Sequence, residues 1–242
     1  MRFLLITAAL SLGCLSGRTQ QVIDANSDAF TSVNHDPSIL NSVNGMLFQP
    51  TKFIKVTAGT PFFMDRWMNA KLFDATGDSY ASHSVRLNLL DNQVNFLDAR
   101  GIEMVANTPI KRMLLTDTTT GTQYLFVLGD QIPEAEKALA RTWLQVLVND
   151  KVSLCKQTKK SIHESIAYGT STTEEDIPSI DYYFVRMNAN FIRVKTWVDL
   201  LQLFSDKKDA IDQYIHDHHL KGKSTEDYTQ LVRYYNTFNT RI

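Results

Sequence analysis

Between Gly45 and Thr196 the apolar residues of this chain recur in short runs with a period near two, and beyond Thr196 with a period near 3.6. A chain with that change of period folds as strands first and helices afterwards. In the first part, residues 52–56 (Lys-Phe-Ile-Lys-Val) alternate polar and apolar. Residues 85–89 and 93–97 do the same on either side of Asp91-Asn92, a pair that tolerates the positive backbone angles of a tight hairpin. Residues 102–105 and 110–115 follow, split by Thr108-Pro109, and then the run 123–128. Residues 143–148 and 151–157 flank Asn149-Asp150 as a second hairpin, and 182–187 and 191–195 flank 188–190 as a third. Residues 135–139, opened by Pro133 with Glu134 and Glu136, suit a helical turn. The stretch 169–178, with Glu174, Glu175 and Asp176, reads as a solvated loop.

After Thr196, Trp197, Leu200, Leu201 and Phe204 fall on one helical face, and Thr196 with Asp199 has the spacing of a capping box. Ser205 is the expected cap of a second helix carrying Ile211, Tyr214, Ile215 and His218. Lys221-Gly222-Lys223 interrupts it, and Ser224 caps a third helix carrying Tyr228, Leu231, Val232 and Tyr235. The pattern predicts an α+β fold: a mainly antiparallel meander and hairpin sheet over 45–195, followed by a cluster of three short helices over 196–242 that packs on it.

The N-terminus carries an address. Arg2 precedes an apolar run of about a dozen residues that ends at Ser16-Gly17-Arg18-Thr19, the layout of a secretory signal peptide. Cleavage is expected after Thr19, within the window 16–20, and it makes the chain more acidic by the charges of Arg2 and Arg18. Residues 20–44, rich in Asn, Ser, Asp and Thr, read as an arm before the sheet. A rival address is a bacterial lipoprotein with Cys14 as its lipidated residue, although Ser11 and Leu12 stand in the reverse of the usual order. Once the signal is removed, no apolar run is long enough for a membrane span, which takes about 20 residues.

With 25 basic and 26 acidic residues the chain has no electrostatic footprint for nucleic acid. Loss of Cys14 with the signal leaves Cys155 alone, so no internal disulfide forms and the core carries the stability. Cys155 lies in an apolar strand and reads as a buried thiol.

Several segments carry a resemblance. They are residues 59–67 (Gly-Thr-Pro-Phe-Phe-Met-Asp-Arg-Trp), the hairpin 146–154, Asp181-Tyr182-Tyr183, the run 200–215 with Ser205-Asp206-Lys207-Lys208, and 228–236. Together they resemble a group of uncharacterised exported β-rich proteins of Bacteroidetes-type bacteria. The resemblance covers about 45–238 and implies export and a shared fold. It implies no activity and no catalytic residue.

The chemistry that the residues offer is sparse. His216-Asp217-His218-His219 invites a metal, since His216 and His219 could meet on a helical face while His218 points elsewhere, but its place in the last turn before Lys221-Gly222 reads as a cap on the helix dipole, and that reading is preferred. A closed zinc site needs four ligands, and no third is identifiable. Asp74 and Asp78 flank Gly77 as turn residues, and His83 and His163 stand singly in or near strands. The chain has no nucleophile elbow, zinc-protease helix, phosphate loop or dinucleotide turn. We therefore assign no catalytic, cofactor-binding or metal residue and expect no cofactor. Phe62-Phe63 beside Trp67 fits neither period and stands as a contact patch. The expectation is an exported, non-enzymatic envelope or secreted protein, periplasmic, outer-membrane-associated or secreted, that binds a protein or envelope component or has a structural role. The alternatives are a small-molecule or lipid carrier with an apolar cavity, and an enzyme with a dispersed site.

Overall fold

The computed structural model describes residues 45–47, 54–166 and 173–238. The expected signal segment, Cys14 and the polar arm lie outside the described residues, as do Lys52 and Phe53. The strands are β1 (Gly45–Leu47), β2 (Ile54–Gly59), β3 (Met68–Asp74), β4 (Ser79–Asn88), β5 (Gln93–Leu97), β6 (Glu103–Ala106) and β7 (Ile110–Thr116). They continue as β8 (Gln123–Leu128), β9 (Trp143–Val148), β10 (Ser153–Lys160), β11 (His163–Ile166), β12 (Thr173–Ile177), β13 (Ser179–Met187) and β14 (Asn190–Val194). Helices α1 (Trp197–Leu203), α2 (Lys208–Asp217) and α3 (Thr225–Phe238) follow. The fold is α+β, with an antiparallel sheet and three C-terminal helices.

Eleven strands form the larger sheet in the order β1-β6-β5-β4-β3-β7-β8-β9-β10-β13-β14, and the smaller sheet runs β11-β12-β2. Every pair in the larger sheet is antiparallel; β2 joins β12 in parallel. The three expected hairpins are present. Asn92 turns the first at φ 56°, and Asn188 and Ala189 turn the third at φ 50° and 58°, the geometry whose twist suits two paired strands.

One central strand escaped the sequence reading. β3 lies between β4 and β7, and its Met68, Ala70 and Leu72 are buried in alternation. Asn69, Ala70, Lys71 and Asp74 are weak strand formers, so its composition hid a pattern that pairing on both sides stabilises. The helix expected at 135–139 is a single 3-10 turn, Lys137–Leu139. The acidic stretch expected as a loop contains β12 instead, because β11 and β2 pair with it from either side.

Register defines the faces. On the inner face Met68, Leu72, Val85, Leu87, Phe96, Met113, Leu115 and Phe126 form one core, to which Trp143 of β9 belongs. Trp143 Nε1 donates to the Asn92 carbonyl at 3.3 Å, so the turn of the β4–β5 hairpin meets β9 and the sheet curls around its own side chains. Farther along the same face, Leu154, Val185 and Val194 pack on Leu200, Phe204, Ile211, Leu231 and Val232 of the helical segment. On the outer face Leu144, Cys155 and Phe184 pack under Leu139 and Ile132 of the β8–β9 connection. Gly129 is required there, since a Cβ on it would lie 2.0 Å from the Leu139 carbonyl oxygen.

The capping box of α1 is present, with Asp199 N–H donating to Thr196 Oγ1 and the Asp199 carboxylate accepting from Thr196 N–H. Ser224 and Asp227 exchange the same pair of bonds at the start of α3. Ser205 does not cap α2. It opens a 3-10 turn, Ser205–Lys207, and α2 starts at Lys208 without a side-chain cap, since the tight turn carries the chain straight from one helix into the next. Asn236 of α3 binds both backbone groups of Val152, donating to its carbonyl at 2.8 Å and accepting from its N–H at 2.9 Å. A helix side chain thereby stands where a neighbouring strand would. No helix among the described residues is long and apolar enough to cross a membrane.

Leu231 is fully buried between helix and sheet. Leu231→Ala is expected to cost about 2–5 kcal/mol in denaturant melts, and a loss under about 0.5 kcal/mol would mean that α3 does not pack as described.

Candidate functional site

The Phe62–Trp67 segment expected as a contact patch is largely consumed by the fold. Phe62 bridges to Asn88 and Phe63 N–H donates to the Leu87 carbonyl, so the two rings go to opposite faces of the sheet. Phe63 sets its edge against Tyr124 and Phe126 at 5.0 and 4.9 Å, inside the core. Phe62 is buried on the outer face under Arg86, whose guanidinium lies 3.8 Å from its centroid and 4.2 Å from that of Trp67. The same guanidinium donates to both carboxylate oxygens of Glu103 at 2.8 Å and lies 3.3 Å from Asp65. Asn95, which faces Arg86 in register, donates to Glu103 at 2.7 Å. The aromatic segment is a clamp on a cation, because two rings and a carboxylate together offset the cost of its lost water. Alternation put Arg86 on the polar phase of β4, but nothing local in sequence announced its partners.

Arg66 holds the same segment from the other side, 3.2 Å from Asp117. Asp117 is buried in the β7–β8 turn, where Thr119 N–H and Thr120 Oγ1 donate to it. The Thr119 N–H, together with Thr120 and the Arg66 charge and against some desolvation, holds the Asp117 carboxyl below its usual range. A lowered folded value means that the stabilisation is fully present above the ordinary value of 3.8 and is lost as pH falls through the folded one. Asp117→Asn should therefore lessen the loss of stability between neutral and acid pH, and an acid limb identical to that of the parent in pH-dependent melts would refute the linkage.

The histidine cluster is not assembled as a helical face. Helix α2 ends at Asp217, His218 is its C-cap, and His219 turns the chain at φ 54°, so the i,i+3 relation of His216 and His219 fails. His216 is exposed with Nδ1 3.3 Å from Asp217 Oδ1, and the His218 ring lies 4.1 Å from that of Tyr214. Among the described residues no group of three His, Cys, Asp or Glu is gathered to hold a metal. His83 Nδ1 lies 3.3 Å from Asn69 Oδ1, and His163 is exposed in β11. Asp74 accepts from Thr76 and from Asp78 N–H within a turn at Gly77. Cys155 is buried and desolvation pushes its thiol up to about 12, which leaves it protonated and a poor nucleophile.

Among the described residues, two features stand out as places where another molecule fits. The first is a cleft of about 280 Å³ at the mouth of the curled sheet, between the β4–β5 turn, the β6–β7 loop and the start of β9. Asp91, Gln93, Asn107 and Arg141 form an exposed rim, while Ile110 and Trp143 lie buried at its floor.

The second is the smaller sheet. The β10–β13 ribbon runs on through Ile162 and Pro178 into β11 and β12, and β2 adds to β12. Val56, Ile162, Ile166 and Ile180 are exposed here, Ile166 at 69%. The register places Val56 and Ile166 on one face with Glu164 and Glu175. Sequence reading missed this surface because β11 and β12 carry His, Glu, Ser, Thr and Asp, residues that signal a loop; the usable hint was Ile162 and Ile166 standing alone in a polar stretch. No protein-family model matches the chain, and neither a curated protein nor a solved structure matches it significantly.

Proposed function

We propose that this chain is an exported, non-enzymatic protein of the envelope or extracellular space, of the Bacteroidetes-type β-rich kind that its segments resemble, and that it acts by binding a partner. The observation that carries the reading is the run of exposed branched apolar residues, Val56, Ile162, Ile166 and Ile180, on the smaller sheet and its junction with the larger one. Isolated exposed aliphatics need no explanation, but Val56 and Ile166 share one face of the smaller sheet, and neighbouring exposed aliphatics of that kind support a contact surface. The interior of the curled sheet is filled by Met68, Leu72, Leu87, Met113, Leu115 and Phe126, which favours a binder that works through its surface over a carrier that encloses its cargo.

Two measurements on the natively exported protein test the reading. Intact mass should give a mature chain that begins between residues 17 and 21; a lipid-modified Cys14 would move the protein to the lipoproteins. A photoreactive residue at 166 should cross-link a discrete partner, while the same residue at Val198, also exposed and apolar, should not. Equal yields at the two positions would sink the surface assignment.

The cleft above Trp143 supports a second reading, a small-molecule binder with a polar rim. Its ligand would change the emission of Trp143 and be released into organic extracts of native protein. Extracts without any enriched compound would end that reading.

A further inference from the structure

We infer that the outer edge of β11 receives an extended, basic and alternately apolar segment of a partner chain, which joins the smaller sheet as a further strand. The inference rests on the partner-binding reading and gives the partner its chemistry. In the order β11-β12-β2, β11 has, among the described residues, a strand on one side only, and all four of its residues are exposed. Its other side thus presents a strand edge to which main-chain hydrogen bonds can add.

Charge selects what adds. The exposed Glu164 stands directly opposite the buried Glu175 across β11 and β12, and like charges in that relation oppose one another. Glu174 and Asp176 add to the acidity of the ribbon, and Asp176 is exposed. A lysine or arginine placed opposite Glu164 on the free side supplies the missing opposite charge. Ile166, two residues on and on the same face, supplies the apolar contact for the partner's next side chain on that face. An edge built this way rejects neutral or acidic strands, including β11 of a second copy with Glu164 against its own kind, and admits basic ones.

The probe is a short blocked peptide alternating lysine and valine, titrated into the full mature chain, with the matching glutamate and valine peptide as control. The lysine peptide should bind with amide NMR shifts confined to 163–166 and its strand neighbours, weakening as salt rises. The control should not bind. Glu164→Lys should weaken the lysine peptide by about fivefold or more. The same substitution should leave the melting temperature unchanged or higher, because it sets a cation opposite Glu175, so lost binding cannot come from unfolding. Equal binding of both peptides, shifts away from β11, or unchanged affinity in Glu164→Lys would overturn the inference. So would self-association of the parent chain that Ile166→Lys abolishes, since the occupant would then be a second copy. A cross-link at position 166 together with no peptide binding would reject this partner chemistry while leaving the partner-binding reading intact.

Discussion

A sheet of eleven strands has two faces, and each stretch of apolar side chains on either face must lose its contact with water. The chain meets that constraint with four different covers. Curling closes the inner face of the β5-to-β9 half upon itself, with Trp143 bonded to Asn92 across the gap. The helices close the inner face at β10, β13 and β14. The β8–β9 connection covers the outer face over Cys155 and Phe184. Where the outer face carries Arg86 and Asn95 instead of aliphatics, the 60–67 segment covers it with Phe62 and Trp67. On the smaller sheet Glu175 and Ile177 are buried, and among its described residues Val56 and Ile166 are the large apolar side chains that stay exposed.

The helical cover was legible in the residues themselves. The stripe Trp197, Leu200, Leu201, Phe204 and the stripe Tyr228, Leu231, Val232, Tyr235 are local patterns, and both helices formed where the spacing placed them. The runs at β8 and β9 were equally plain, since each is a dense row of aromatic and branched residues. What stayed hidden depends on pairing between distant segments. β3 alternates correctly but is built from residues with little strand preference, and only β4 and β7 on either side make it a strand. β12 is acidic and gains its structure from β11 and from β2, which lies more than a hundred residues earlier in the chain. No window of local sequence contains that information.

The same limit applies to the clamp on Arg86. In sequence Phe62, Phe63 and Trp67 are three aromatics out of phase with either period, a pattern that an exposed recognition patch and a covered cation produce equally. The distinction is made by Arg86, Asn95 and Glu103, which three separate strands bring to one place. Among the described residues Arg86 Nε and Asn95 Oδ1 are buried without a hydrogen-bond partner, so the cluster is only partly satisfied. Residual cost of that kind is tolerable where the surrounding contacts hold the groups in place, and Arg66 with Asp117 provides such a hold on the neighbouring turn.

Charged, short edges ordinarily protect a sheet from unwanted pairing, and β11 has both traits. Protection alone would be complete with glutamate and serine at its outward positions. Ile166 at the end of the strand and Ile162 just before it work against protection, since each adds apolar area to an edge that the charges defend. The combination makes sense as selectivity: charge raises the cost of most incoming strands, and the isoleucines lower it for one that brings the opposite charge in the right phase. At the far edge of the larger sheet the arrangement is different. Phe191 of β14 stacks on Phe184 at 5.1 Å and Arg193 lies over Tyr182, so the side chains of that edge are engaged with their own sheet. These two edges are thus handled in two ways, one engaged with its own sheet and the other left apolar and acidic.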